Sequence, residues 1–400
     1  ALPISDLLET VARSAAEGHI EGDRIRIRHR TILHQLGLDP ELLNRYFIEL
    51  YALLDEVRTR GQILPGELDH ILAMGERMSA RVVAQTLKQM GLRAAPVDAY
   101  DIGLVTDSNF GDARPVNGLG ERIRAALEQV GGIPVVTGFV ARDARGNLTT
   151  MGRNGSDLTA ALLAEAVGAG ELQLWKAVSG MMTADPALVS DARTVERLGL
   201  AEAAEYAFHG AEVLYGAALA PVQRANVVVR ILDVRAPHDA GTVLEMTSRV
   251  HGLVGLAARK RVYRLDVAIG ALEPRAACMA DLYTLMHTHK VEPGLVSASG
   301  DRVSVYVSPC HGLEALVAAL GRRAKITRDL SLVALIGRET GEDADLAARA
   351  WQCLHDERVP VVEAFVGARP ASQVYIVPEV HLERAANALH AVLLTPQTAL

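Results

Sequence analysis

Cysteine is scarce in this 400-residue chain. Cys278, Cys310 and Cys353 stand far apart with no CxxC pair, which excludes a disulfide framework and a thiolate zinc site as organising features. The thiols read as free and reduced. No run of residues reaches the roughly 20 consecutive apolar positions that a membrane span requires. The first segment, ALPISDLLETVARSAAEGHIEGD, is an acidic amphipathic helix rather than a basic-then-apolar leader. Positive charge is not in excess: the formal net charge is -7, so nothing draws the chain to nucleic acid or to an anionic membrane. A cytoplasmic protein is expected. Familiar signatures are missing as well. There is no GxGxxG after a strand, no GxxxxGK[ST], no HExxH and no GxSxG, so dinucleotide-binding, P-loop, metalloprotease and serine-hydrolase readings lack support. His287 and His289, the closest histidine pair, point to different faces of a helix, and no metal site is expected.

What is present is a large apolar fraction, 50%, enough to bury the cores of two or three domains. The first 90 or so residues read as helices, with apolar positions Leu7, Leu8, Val11 and Ala15 near helical period, then Leu33 to Tyr46, then a helix from about Pro65 to Met90 stopped by Gly91. Short β-type runs follow. Ile133 to Val140 reads as one buried strand leading to a turn at Arg145-Gly146-Asn147. ELQLWKAV and ANVVVRIL read as further strands, and their alternation with helices implies an α/β sheet. A boundary falls at about residues 233 to 242. Beyond it the pattern β-α-β-β-α occurs twice, each copy needing one more strand from elsewhere, which is a ferredoxin-like unit used twice.

Three segments can carry chemistry. Met151-Gly152-Arg153-Asn154-Gly155-Ser156-Asp157 precedes an apolar helix. Its backbone N–H groups suit an anion, and Arg153 suits a carboxylate; Ser156 and Asp157 also suit a plain helix cap. Glu76, in Gly75-Glu76-Arg77, can bind an ammonium group or sit solvated beside Arg77. Thr106 to Gly111 reads as a turn.

In order and spacing these segments resemble the aspartate kinase family: MGERMSA, TDSNFGDAR, VVTGFVARDARGNLTTMGRNGSDLTAALLA, TADPALVSDAR and AEAAEYAFHGAEVL, ending at DAGT. The paired repeats resemble that family's two ACT domains. The resemblance implies a three-layer amino-acid-kinase domain with a mainly parallel sheet (1–240), followed by ACT-like α+β domains at 245–325 and 326–400. It implies phosphoryl transfer from MgATP to the side-chain carboxylate of L-aspartate, the first step toward lysine, threonine and methionine. Carried over, Arg153 and Asp157 are catalytic. Ser5, Glu76, Arg153, Gly155, Ser156 and Asp157 bind substrate. Lys176, Ala177, Met182, Asp185, Ala187, Glu212 and Val213 line the nucleotide. Cys278, Asp281, Val291, Val296, Ser297, Ser372 and Gln373 bind an end-product amino acid, lysine or threonine. A homo-oligomer, dimer or tetramer, is implied too.

The chain departs from the family in two places. It contains no Lys-Phe-Gly-Gly-Thr-Ser segment, so the sheet is expected to lack two strands and their joining helix. The family's Thr-Asp-Val-Asp-Gly is Lys176-Ala177-Val178-Ser179-Gly180, and a phosphate-facing lysine is replaced by Glu212, which repels a triphosphate. Two readings follow: an active aspartate kinase, or a catalytically weak relative that senses amino acids or binds a partner. Affinity for ATP separates them.

Overall fold

The computed structural model describes residues 4–152, 154–211, 213, 215–247, 251–270 and 274–394. The chain divides into two compact units, residues 1–172 with 214–229 and residues 173–213 with 230–400.

The first unit opens with four helices, α1 (Ile4–Ala16), α2 (Asp23–Gln35), α3 (Asn44–Arg60) and α4 (Pro65–Gln89). Their apolar stripes meet in one core that includes Leu8, Val11, Leu33, Leu50, Leu54, Ile71 and Met74. Pro65 occupies the first turn of α4, where its missing N–H costs nothing. Gly91, just past the end, takes φ +82°, as a helix stop does. Close packing also sets Gly75: a Cβ there would stand 3.1 Å from Ile4 Cγ2.

The chain then turns to β1 (Ala94–Val97), β2 (Val105–Thr106), α5 (Gly120–Glu128), β3 (Ile133–Val136), β4 (Val140–Asp143), β5 (Leu148–Thr150) and α6 (Gly155–Val167). β1 pairs parallel with β3, and β2 pairs parallel with β4, while β4 and β5 form the expected hairpin. The single buried strand expected over 133–140 is two strands. Ile133 is solvent-exposed, and the chain breaks at Thr137-Gly138-Phe139 before the buried β4 begins. A close approach explains the break: a Cβ on Gly138 would stand 2.8 Å from Ser156 Cβ.

The remaining elements are β6 (Glu171–Lys176), β7 (Arg197–Gly199), α7 (Leu200–Phe208), α8 (Leu219–Ala225), β8 (Val228–Asp233) and β9 (Thr242–Glu245). The strands make a sheet of order β6-β8-β9-β7. α8 returns to the first unit, where Arg224 forks onto Glu165 of α6 at 2.7 and 2.9 Å.

The two repeats follow: β10 (Gly252–Ala268), α9 (Arg275–Thr288), β11 (Val296–Ala298), β12 (Arg302–Val307), α10 (Leu313–Leu320), β13 (Ala324–Arg338), α11 (Ala344–Asp356), β14 (Glu363–Arg369), β15 (Ser372–Pro378) and α12 (Leu382–Leu393). All six strands form one sheet of order β11-β12-β10-β13-β15-β14. Its construction shows where each repeat finds its missing strand. β10 and β13 are long enough to serve both repeats. The second half of β10 pairs with β12 and with the first half of β13, whereas the first half of β10 pairs with the second half of β13. Register slips near Arg259, Val262 and Arg264, together with positive φ at Arg261 and Asp329, mark the crossover. Each repeat thereby closes as a four-stranded ferredoxin-like sheet. The cores stay separate, one around Leu265, Val305 and Leu316, the other around Leu335, Tyr375 and Leu389.

Leu335 is fully buried in the strand that both repeats use. Leu335→Ala is therefore expected to lower stability by about 2–5 kcal/mol, read as a shift of the urea midpoint.

Candidate functional site

The loop before α6 is built around absent side chains. Gly152 takes φ +70°, and a Cβ on it would meet Asp112 Oδ1 at 2.8 Å. Gly155 has the same constraint from Met151 Cβ at 3.0 Å and Phe139 Cδ2 at 3.1 Å. Phe139 itself sits at φ +65°, a region a bulky residue occupies only when its surroundings hold it there. Those surroundings are present: its N–H donates to Thr159 Oγ1 (3.0 Å), and its carbonyl accepts from the Met151 N–H (3.0 Å). The β3–β4 loop is thus pinned against the start of α6.

The helix start bears on the reading of Ser156 and Asp157 as N-caps. The N-cap is Asn154, in the left-handed region, and its side chain makes no capping hydrogen bond. Gly155, Ser156 and Asp157 are the first three helical residues, so neither Ser156 nor Asp157 is a cap. Asp157 is buried and Ser156 exposed. The N–H groups of Gly155 and Asp157 already donate to the carbonyls of Gly152 (3.1 Å) and Asn154 (3.0 Å), and the helix start carries partial positive charge. Arg153 lies outside the described residues.

Glu76 stands one turn beyond Ala73, whose face of α4 packs on Val140, with Phe139 alongside. Its carboxylate is half-buried and has no hydrogen-bond or ion-pair partner among the described residues; burial raises its pKa. An uncompensated carboxylate in such a place favours a cationic ligand. Ser5 is half-buried in the first turn of α1, next to Ile4, which touches Gly75.

One residue that holds these pieces together escaped the sequence reading. Asp69, two turns before Glu76 on α4, is 1% exposed. Its carboxylate accepts from the N–H of Gly111 (3.0 Å), the N–H of Thr150 (2.8 Å) and the hydroxyl of Thr150 (3.0 Å). Thr150 is the last residue before the Met151–Asp157 segment, and Gly111 belongs to the TDSNFG turn. Burial raises the Asp69 pKa against the opposing effect of those hydrogen bonds. The signal in the sequence was faint: an acid on the otherwise apolar side of an amphipathic helix. A second buried anchor is Asp98, gripped by Arg81 through two bonds of 2.5 and 2.7 Å.

The residues expected at the nucleotide fall in the second unit. Lys176 ends β6 and is half-buried; Ala177 is exposed, its carbonyl accepting from Arg235 at 2.5 Å. Gly180, at φ +124°, is held against Thr242, whose hydroxyl accepts from the Met181 N–H (2.8 Å). Met182 and Val213 are half-buried and Ala187 is exposed. Asp185 turns its carboxylate back to the Ala187 N–H (2.9 Å). This segment is fastened to α12 by Thr183 on His390 (2.9 Å) and by Asn387 on the Leu188 carbonyl (2.8 Å). Glu212 lies outside the described residues.

Of the residues expected to hold an effector, Cys278 is half-buried and Asp281 exposed on α9, and Val291 is buried just after it. Val296 and Ser297 lie half-buried on the edge strand β11. Ser372 and Gln373 are buried and already bonded. The Gln373 amide donates to the carbonyls of Thr340 (2.6 Å) and Asp343 (2.7 Å). Ser372 donates to Glu205 of α7 at 2.6 Å, and Arg369 forks onto the same carboxylate. Buried His209 completes the cluster at 3.1 Å.

The sequence model of the amino acid kinase family matches residues 18–233. The chain belongs to the amino acid kinase family. Its relatives there include the chloroplastic aspartokinase 1 of Arabidopsis thaliana, 28% identical over 386 residues that cover 92% of this chain and 67% of the relative. Among solved structures it is similar to E. coli aspartokinase III in complex with aspartate and ADP, with a TM-score of 0.84 and 26% identity, covering 97% of this chain and 91% of that one. The same E. coli protein in complex with lysine and aspartate matches with a TM-score of 0.73 at 25% identity over the same shares. This amino acid kinase therefore has the aspartokinase fold, regulatory domains included.

The Glu205 cluster generates a pH prediction. Burial works to raise the carboxyl, but hydrogen bonds from His209, Arg369 and Ser372 outweigh it and bring the pKa from 4.5 down to about 2. The stability this contributes is present above about pH 4.5 and is lost as pH falls toward 2. Urea midpoints measured down that range should fall less steeply in Glu205→Gln than in the parent chain.

Proposed function

We propose that this chain is an aspartate kinase, moving the γ-phosphoryl group of MgATP to the side-chain carboxylate of L-aspartate. One observation carries the reading: an unpartnered, half-buried carboxylate at Glu76 and an uncapped helix start at Gly155–Asp157 both belong to segments gathered by Asp69. Together they match the two charges of an amino acid. Glu76 takes the ammonium group. The positive end of α6, the Ser156 hydroxyl and the guanidinium of Arg153 take carboxylate oxygen. Arg153 and Asp157 remain the proposed catalytic pair. Such a site works by positioning the acceptor oxygen and by neutralising charge as the phosphoryl group moves. The E. coli relative, solved with aspartate and ADP, supports both substrates.

The nucleotide is assigned to Lys176, Ala177, Met182, Asp185, Ala187, Glu212 and Val213. Mg²⁺ would neutralise the triphosphate. Mg²⁺ of this kind ordinarily arrives bound to the phosphates. The paired α+β repeats are assigned feedback regulation by lysine or threonine, with support from the E. coli structure that holds lysine. A homo-oligomer in the cytoplasm completes the proposal.

Glu76→Gln removes the charge but keeps the shape. It is expected to raise the KM for aspartate about tenfold to hundredfold while leaving MgATP affinity unchanged in a coupled ADP-release assay and a nucleotide titration. Absence of saturable MgATP binding to the parent chain would contradict the kinase reading.

A further inference from the structure

The first unit also holds a groove of about 810 Å³ between α3, the face of α4 that carries Gly66, His70 and Arg77, and the β4–β5 hairpin. Its floor is apolar, with Leu53 from α3, Leu148 from the hairpin and the ring of Phe110. Its size is that of a small-molecule site.

The lining sets three carboxylates, Glu49, Glu56 and Glu67, against Arg77, Arg142 and His70; Glu56 stands exposed to solvent. Glu49 is engaged by Arg77 and His70, both at 2.7 Å, and these bonds, prevailing over burial, bring its pKa down to about 2. Glu67 holds Arg60 and accepts from the Leu64 N–H (3.0 Å). Arg142 has no such match. Its guanidinium lies over the Tyr100 ring, 4.3 Å from the centroid, and its side chain makes no hydrogen bond or ion pair with any described residue. The Nε atom is buried and unpartnered. A guanidinium held over an aromatic ring by its charge keeps its in-plane N–H donors for a planar acceptor.

We propose that this groove binds a small organic carboxylate with an apolar, ring-sized body. The carboxylate meets the donor edge of Arg142, and the body covers Leu53, Phe110 and Leu148. A bidentate guanidinium–carboxylate pair supplies orientation, and burial of the ring supplies most of the affinity. None of the residues lining the groove is one assigned to aspartate, so occupancy does not require that assignment to hold.

Isothermal titration with benzoate tests this on the whole chain, with saturating L-aspartate present to block its proposed site. Benzoate is expected to saturate one site below about 10 mM, and the neutral isostere benzamide and ring-less acetate to bind at least about tenfold more weakly. Arg142→Leu and, independently, Leu53→Glu on the half-buried face of α3 should each weaken benzoate about tenfold or more; circular dichroism melting confirms that each variant is folded. The proposal is overturned if benzoate gives no saturable heat, if benzamide binds as tightly as benzoate, or if both variants bind benzoate like the parent chain.

Discussion

A buried carboxylate that accepts three hydrogen bonds from two other segments fixes where those segments stand. Asp69 does this for the first unit. The three donors offset part of the cost of burying it, so the junction is cooperative: displacing either Gly111 or Thr150 leaves the buried carboxylate still less compensated. Thr150 sets the first position of the segment that runs into α6. Gly111 sets the turn whose next residue, Asp112, lies over Gly152. Glu76 rides on the same helix as Asp69. The parts proposed to read the two ends of an amino acid thus share one internal reference point.

The second unit applies the same economy with strands. β10 and β13 are shared by two repeats, so neither repeat has a complete sheet without the other. The buried cluster of Glu205, His209, Arg369 and Ser372 ties α7 to the strands of the second repeat. The Thr183–Val189 segment is tied to α12. Changes in the repeats therefore have direct bonded routes to the segment assigned to nucleotide.

Periodic features were legible in the sequence. The four opening helices, the hairpin at Gly146 and the doubled β-α-β-β-α pattern all show as spacing, because burial of one face imposes a period on the chain. Long-range pairing leaves no period. The strand that closes the second repeat is the first half of β10, and nothing in the run from Gly252 to Ala268 announces that its two halves serve different repeats. The run 133–140 looked like one strand because its residues are apolar; it breaks because Gly138 must leave room for Ser156, 18 positions away. Asp69 was invisible for a related reason: an acid in an amphipathic helix is ordinarily solvated, and only the fold shows the three donors around it. The capping reading of Ser156 was open in sequence and closed by a single dihedral, that of Asn154.

The most direct test of this organisation is Asp69→Asn, which keeps the size of the side chain but sets an amide against N–H donors. Hydrogen exchange by mass spectrometry, together with the KM for aspartate, reports on both ends of the junction. The account predicts faster exchange in the peptides spanning residues 107–113 and 148–158, with α1–α3 unchanged, and a raised KM for aspartate. Unchanged exchange in both peptides, or an unchanged KM beside accelerated exchange, would contradict it.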